Sequence, residues 1–305
     1  MLEPNAFTGA VVDRVGVDRA DVRWLAQIEQ DPDSRALLLG ANTVAVEPSD
    51  PPRPVLVDLA RARALTGGEP LLLGRRAGRP LWALDGGEIL PERLVAADTP
   101  VRLLALRDAG EMMAPADGGL VAYAAGMAAW HRRHPHCSAC GAHTQSVEGG
   151  RLRRCPVCGS VHHPRVDPVV IMLVHDGEHL LLGRRGSAPV GRFSILAGFV
   201  EPGESLEEAI VREVREEAGV QVGQVTYVSS QPWPFPANLM LGFTARHLSG
   251  EPQIGDGELA ELGWFTREEV SRSAHGRGPV ELPGRVTIAR RLIDRWLAEP
   301  SAEAE

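Results

Sequence analysis

Apolar and polar positions divide the chain into stretches of different character. Over residues 1–119, short apolar runs at Ala36 to Leu39, Val55 to Leu59 and Leu71 to Leu73 alternate with turn clusters. Those clusters are Ser49-Asp50-Pro51-Pro52, Gly67-Gly68 and Asp85-Gly86-Gly87, and the pattern predicts strands in an α+β domain. An Ala-rich helix follows, roughly from Gly119 to Arg133. From Val166 onward the pattern is mixed. Strands are expected at Val169 to Val174 and Leu180 to Leu182, an acidic helix near 205–218, further strands, and a closing helix near Arg285 to Leu297. No internal repeat is visible. Residues 120–165 form a helix plus a Cys-rich module, residues 166–298 an α/β domain, and residues 299–305 a tail expected to be disordered.

Composition narrows the function classes. The chain has 305 residues, 44% of them apolar, which suits two or three folded modules. Its net charge of −8 argues against a protein that coats nucleic acid non-specifically. Lysine is absent, so every basic side chain apart from histidine is arginine. No apolar run approaches the ~20 residues of a membrane helix. The longest candidate, Leu120 to Trp130, suits a buried helix, and the N-terminus lacks a signal-peptide pattern. The expectation is a cytoplasmic protein with no membrane partner.

All four cysteines fall in one short stretch. Cys137-x2-Cys140 and Cys155-x2-Cys158 are separated by 14 residues, and a glycine follows each pair, at 141 and 159. Two such knuckles bring four thiolates to the corners of a tetrahedron, the geometry zinc prefers, and leave it no open position. The zinc is therefore expected to be structural. His131 to Arg165 also holds six of the ten histidines, and six arginines against one glutamate. Those arginines suit phosphate or RNA binding as well as an ordinary solvated surface.

The acidic helix carries most of the chemistry. Ser205 with Glu208 forms a capping box, Leu206, Ala209, Ile210, Val214 and Ala218 make a buried stripe, and Gly219 ends the helix. Glu213, Glu216 and Glu217 crowd its last turns, near the negative end of the helix dipole. A hard divalent cation, Mg²⁺ or Mn²⁺, relieves that repulsion. Arg212 is placed to pair with Glu204 and brace the preceding loop. Glu258 is a candidate for a further acid from outside this segment, both as a cation ligand and as the group that accepts the attacking water's proton.

The stretch from Gly198 to Val220 fits the pattern G-x5-E-x7-R-E-U-x-E-E-x-G-U, with U apolar, and so resembles the signature of the Nudix hydrolases. Seven fixed positions matched at ~10% each over ~300 starts would arise by chance with a probability on the order of 10⁻⁵ to 10⁻⁴. The resemblance implies a mixed-sheet α/β/α sandwich that hydrolyses a nucleoside diphosphate linked to another group. It also implies metal ligation by Glu213 and Glu217, with Glu216 and the backbone carbonyl of Ala197. Ser230-Gln231-Pro232-Trp233-Pro234-Phe235-Pro236-Ala237-Asn238 reads as a stiff, extended strip. Its aromatics either present flat faces to a ligand or pack into the core. The strip resembles the SQPWPFPxS array of the NADH pyrophosphatase branch of that family, and Leu106-Arg107 resembles a short motif that precedes the ribbon there.

Membership of that branch implies cleavage of NADH or NAD⁺ to (reduced) nicotinamide mononucleotide and AMP, and removal of NAD caps from RNA 5′ ends. It also implies a homodimer in which the N-terminal domain takes part. Phe199 becomes a ring that stacks on nicotinamide, Gln231 to Asn238 the substrate strip, and Ala289 a backbone contact. Two positions depart from the branch pattern. His162-His163-Pro164 replaces an aromatic pair, which makes His163 the candidate stacking residue, and Asn238 replaces a serine. The alternative reading is a zinc-ribbon nucleic-acid-binding module whose Nudix domain acts on another dinucleotide or is inactive.

Overall fold

The computed structural model describes residues 4–89, 101–255 and 257–299. The tail expected to be disordered lies, apart from Glu299, outside the described residues. Two compact units emerge. One comprises Met1–Val166 with Pro232–Ala237, the other Asp167–Gln231 with Asn238–Glu305.

The first unit is built on strands β1 (Arg35–Gly40), β2 (Thr43–Val46), β3 (Leu56–Asp58), β4 (Leu71–Arg76), β5 (Arg79–Asp85) and β6 (Arg102–Ala105). The sheet order is β4-β5-β1-β2-β6 with β3 on β1, and β1 runs parallel to β5. Helices α1 (Val22–Gln30), α2 (Leu59–Thr66), α3 (Leu106–Met112) and α4 (Pro115–Arg133) accompany it. Ala36 and Leu38 point into a core with Leu59, Ala62 and Leu65 of α2, while Leu37 and Leu39 join a second core with Leu120, Val121 and Ala124 of α4. Burial on both faces is why these strands read as unbroken apolar runs rather than alternating ones. The ribbon strands β7 (Gln145–Val147), β8 (Leu152–Arg154) and β9 (Val161–His162) form a separate three-stranded sheet within this unit.

The second unit contains β10 (Asp167–His175), β11 (His179–Arg185), β12 (Leu196–Phe199), β13 (Gln221–Trp233), β14 (Asn238–Ser249) and β15 (Leu259–Thr266). Helices α5 (Leu206–Ala218), α6 (Arg267–Ala274) and α7 (Ile288–Ala298) complete it. Val170, Met172 and Val174 of β10 pack on the α5 side, Ile171 and Leu173 on the α7 side. The α/β/α layering follows from that division.

Several local expectations shift. The run Val55 to Leu59 splits, because Leu59 opens α2, whose buried Leu59, Ala62 and Leu65 follow a helical spacing. Helix α4 starts at Pro115, four residues before Gly119, since proline suits a first helical turn. Gly119 lies inside α4 and is required there as glycine, since a Cβ would meet Thr8 O and Ala10 N at 2.6 and 2.7 Å. Thr287 caps α7 by accepting from the Arg290 N–H, so the closing helix begins at Ile288.

The absence of repeats in the sequence does not hold in three dimensions. The second sheet runs β13-β14-β10-β11-β15 with β12 on β10, and β10 lies parallel to β14. It repeats the strand order of the first unit member by member, and in both units a helix follows the third strand and two follow the sixth. The topology asks only for two-faced apolar strands, which unrelated-looking sequences supply equally well. In the first unit, α2 (Leu-Ala-Arg-Ala-Arg-Ala-Leu-Thr) carries no carboxylate, so this copy retains the frame without the acidic helix.

Candidate active site and zinc centre

The acidic helix forms as its sequence dictates. Ser205 accepts from the Glu208 N–H and Glu208 reaches back to the Ser205 N–H, completing the capping box, while Gly219 takes the left-handed conformation that ends the helix. Ala209, Ile210, Val214 and Ala218 are buried as expected, and Glu217 is buried with them at 1% exposure.

Arg212 organises one side of the site. Its guanidinium donates to Glu204 Oε1 and Oε2 (2.5 and 2.8 Å), Glu213 Oε1 (2.8 Å), Glu216 Oε2 (3.0 Å) and the Phe199 carbonyl (2.9 Å). Glu204 also accepts from the Glu201 N–H. Hydrogen bonding to Arg212, then to that N–H, holds its carboxyl at about 2. Burial pushes the Glu213 carboxyl up, against the opposing pull of Arg212. The opposite side belongs to Arg185, at the end of β11. Its Nη2 donates to the Ala197 carbonyl at 2.7 Å and stands 3.8 Å from Glu217 Oε1 and 4.0 Å from Glu258 Oε2. The structure thus brings Glu213, Glu216, Glu217, Glu258 and the Ala197 carbonyl to one region, with an arginine on each side.

This donor set suits a hard cation, since all its atoms are oxygens and they belong to four carboxylates and one carbonyl. Gly198 adds an independent sign. A Cβ at that position would overlap the Glu213 carboxylate, so glycine is the residue that leaves room for it. The Glu213 carboxylate ends a flexible side chain, so Gly198→Ala should fold with a melting temperature close to wild type. It should still lose activity at least about tenfold, as expected for a displaced ligand. A loss of fold with no activity effect per folded molecule would overturn this reading of Gly198.

The zinc centre is preformed. Cys137 and Cys158 Sγ lie 3.6 Å apart, Cys140 and Cys155 Sγ 3.5 Å apart, and all four sulfurs fall within 4.8 Å of one another. A tetrahedral site with Zn–S of about 2.3 Å has sulfur–sulfur edges of roughly 3.8 Å. The knuckles are built alike. Gly141 N–H donates to the Cys137 carbonyl and Gly159 N–H to the Cys155 carbonyl, with φ of +76° and +77° at the two glycines. None of the four cysteines forms a disulfide. The chemistry and spacing fit structural zinc. Among the described residues this is the one group of three or more His, Cys, Asp or Glu side chains whose donor atoms approach so closely.

The ribbon arginines divide. Arg153 is buried and donates to Thr144 Oγ1 and O, Arg151 pairs with Glu148, and Arg132 pairs with Asp85. These three are therefore engaged inside the first unit rather than spread over one open basic surface.

The proline-aromatic strip is extended at its two ends, where Gln231–Trp233 finish β13 and Asn238 opens β14, and turns between them. Residues 234–237 turn, and Phe235 N–H donates to the Trp233 carbonyl. Its aromatics pack within the first unit. Phe7 meets Trp233 and Phe235 edge-on at 6.0 and 6.2 Å, and the Arg107 guanidinium lies 5.1 Å from the Trp233 ring centroid. Phe7 gave no signal in the sequence. Gln231, 1% exposed, donates to the Val286 carbonyl and accepts from the Ile288 N–H, which ties the end of β13 to the start of α7. Ala289 is buried one residue further along that helix. Asn238 opens β14 opposite Asp167, His163 is exposed, and Phe199 is 57% exposed. Among the described residues no helix is long and apolar enough to cross a membrane.

Three family descriptions match the chain. They are the NUDIX domain over residues 164–282, the NADH pyrophosphatase zinc ribbon domain over 132–162, and the NADH pyrophosphatase-like rudimentary NUDIX domain over 33–130. The last accounts for the repeated topology. The chain is 36% identical over 315 residues to the NAD-capped RNA hydrolase NudC of Mycobacterium bovis, covering 94% of this chain and 95% of that protein. It is 44% identical over 194 residues to the human NAD-capped RNA hydrolase NUDT12, covering 59% of this chain and 42% of that one. Among solved structures, a NUDIX hydrolase from Nitrosomonas europaea covers 48% of this chain and 96% of its own, at 24% identity and a TM-score of 0.40.

Proposed function

Since the chain belongs to the Nudix hydrolases of the NADH pyrophosphatase type, with a zinc ribbon between a rudimentary and a complete Nudix domain, we propose that it hydrolyses the pyrophosphate bond of NADH and NAD⁺. The products are (reduced) nicotinamide mononucleotide and AMP, and the same cleavage removes NAD caps from RNA 5′ ends. The observation that carries this reading is the set of Glu213, Glu216 and Glu217 on one helix face against the Ala197 carbonyl, held from both sides by Arg212 and Arg185.

Glu213, Glu216, Glu217 and the Ala197 carbonyl would hold Mg²⁺ or Mn²⁺, which supplies charge neutralisation of the pyrophosphate and activation of the attacking water. Glu258, 61% exposed on its side chain, comes from outside α5 and is the residue we assign to accept the water's proton. Arg212 holds Glu213 and Glu216 in place and, through Glu204, fixes the loop before α5. The exposed ring of Phe199 offers a flat face to the nicotinamide, and the family resemblance assigns further substrate contacts to His163 and to Gln231, Pro232, Trp233, Pro234, Phe235, Pro236, Ala237 and Asn238. Ala289 contributes through its backbone, and Arg107 acts through the rings it covers. A homodimer working in the cytoplasm completes the proposal, supported by the family resemblance and by thiols kept reduced for zinc.

Incubation of the zinc-replete protein with NADH and Mn²⁺, followed by chromatography, should yield reduced nicotinamide mononucleotide and AMP in equal amounts. Intact NADH after incubation with folded protein would overturn the assignment and direct attention to other dinucleotides.

A further inference from the structure

The guanidinium of Arg185 occupies an unusual place. It is delivered by the last residue of β11, where the pairing with β15 slips between Arg184↔Glu261 and Arg185↔Leu259. Such an irregularity re-aims the side chains beside it. Arg184 turns to Glu261 and the Ala188 carbonyl, whereas Arg185 turns to the Ala197 carbonyl, Glu217 and Glu258. These are three of the oxygen-bearing groups that the proposed function assigns to the divalent cation and its water. Arg212 differs in kind, because it braces Glu213 and Glu216 from the loop side and is tied to Glu204 and the Phe199 carbonyl. Arg185, with half its side chain exposed, has no comparable tie and is held by the site oxygens themselves.

Resting on that reading of the site, we infer that Arg185 is a positioning residue that competes with the divalent cation for the Ala197 carbonyl and the Glu217–Glu258 carboxylates. It thereby sets how much cation the enzyme requires. Two positive groups cannot share these oxygens without repulsion, so the guanidinium must move when the cation binds. While it stays, it offsets the mutual repulsion of the carboxylates. A strand-end arginine that is exposed on one side can make that move without unfolding anything around it.

The test is direct Mn²⁺ binding, read from the electron paramagnetic resonance of the free ion, on wild type, Arg185→Gln and Arg192→Gln. Arg192 pairs with Glu281 at another position in the second unit and removes the same formal charge. Arg185→Gln should bind Mn²⁺ roughly tenfold more tightly than wild type, the scale expected for deleting one partly exposed like charge near the ligands. Arg192→Gln should match wild type. A purely structural role for Arg185 predicts equal or weaker binding in Arg185→Gln, and that result overturns the inference while leaving the metal site intact. Equal tightening in both variants would trace the effect to net charge and overturn it too. Failure of all three proteins to bind Mn²⁺ would overturn the metal reading itself, and with it the inference.

Discussion

Glu217→Gln should lower NADH cleavage by at least about 100-fold while the protein melts close to the wild-type temperature. Glu217 is 1% exposed, in the last turn of α5, yet it points toward Arg185 rather than into the apolar core. Burying a carboxylate that deeply is costly unless a cation faces it. The amide keeps the shape and loses the charge, so packing survives and the cation loses a ligand. Glutamine also relieves the desolvation cost, so a small rise in melting temperature is compatible with this account. Turnover measured beside a melting curve separates the two effects. A folded Glu217→Gln protein with unchanged turnover would refute the ligand assignment. Glu216, whose side chain is 51% exposed, is expected to tolerate the same change better.

Removing zinc should act on stability rather than on chemistry. The ribbon sheet β7-β8-β9 is short, and the ribbon's fully buried apolar side chains are only Leu152, Cys137 and Cys155. So small a module depends on its metal, and loss of structural zinc costs on the order of several kcal/mol or more. Cys155→Ser, at a thiol that is 1% exposed, should lower the melting temperature by roughly 10 °C or more and release zinc detectable by a colorimetric chelator. The ribbon packs within the first unit. The Leu72 N–H donates to the Gly149 carbonyl, and His131 Nε2 meets the Gly150 carbonyl at 2.8 Å, so melting should include that unit. A zinc-free protein with an unchanged melting temperature would show that the cysteines do not carry the fold.

The acidic helix was legible because its signals are local. A capping box, a helical stripe, a terminal glycine and an arginine eight residues from its partner glutamate all lie within one short segment. The zinc knuckles were legible for the same reason, since their turns and ligands are set by spacing. The substrate strip was only half legible. Its residues carry the family resemblance, but which way Trp233 and Phe235 face depends on Phe7 and Arg107, far away in sequence. Helix α2 was not anticipated, because Leu59 fits the end of an apolar strand as well as a helix start, and the start of α4 was misplaced because Gly119 is required by a neighbouring backbone rather than by a helix end.

By itself, then, the sequence determined the α/β class, the cysteine cluster of the zinc ribbon and the acidic helix with its three glutamates, because each rests on contacts between near neighbours in the chain. Tertiary structure alone decided the rest. It placed Arg185, 32 positions before Glu217, on the oxygens of Ala197 and Glu217, since a guanidinium's reach is fixed by strand pairing rather than by spacing. It also revealed that the N-terminal strands repeat the order of the catalytic sheet, because hydrogen-bond pairing between distant strands leaves no periodic mark on the residues that make it.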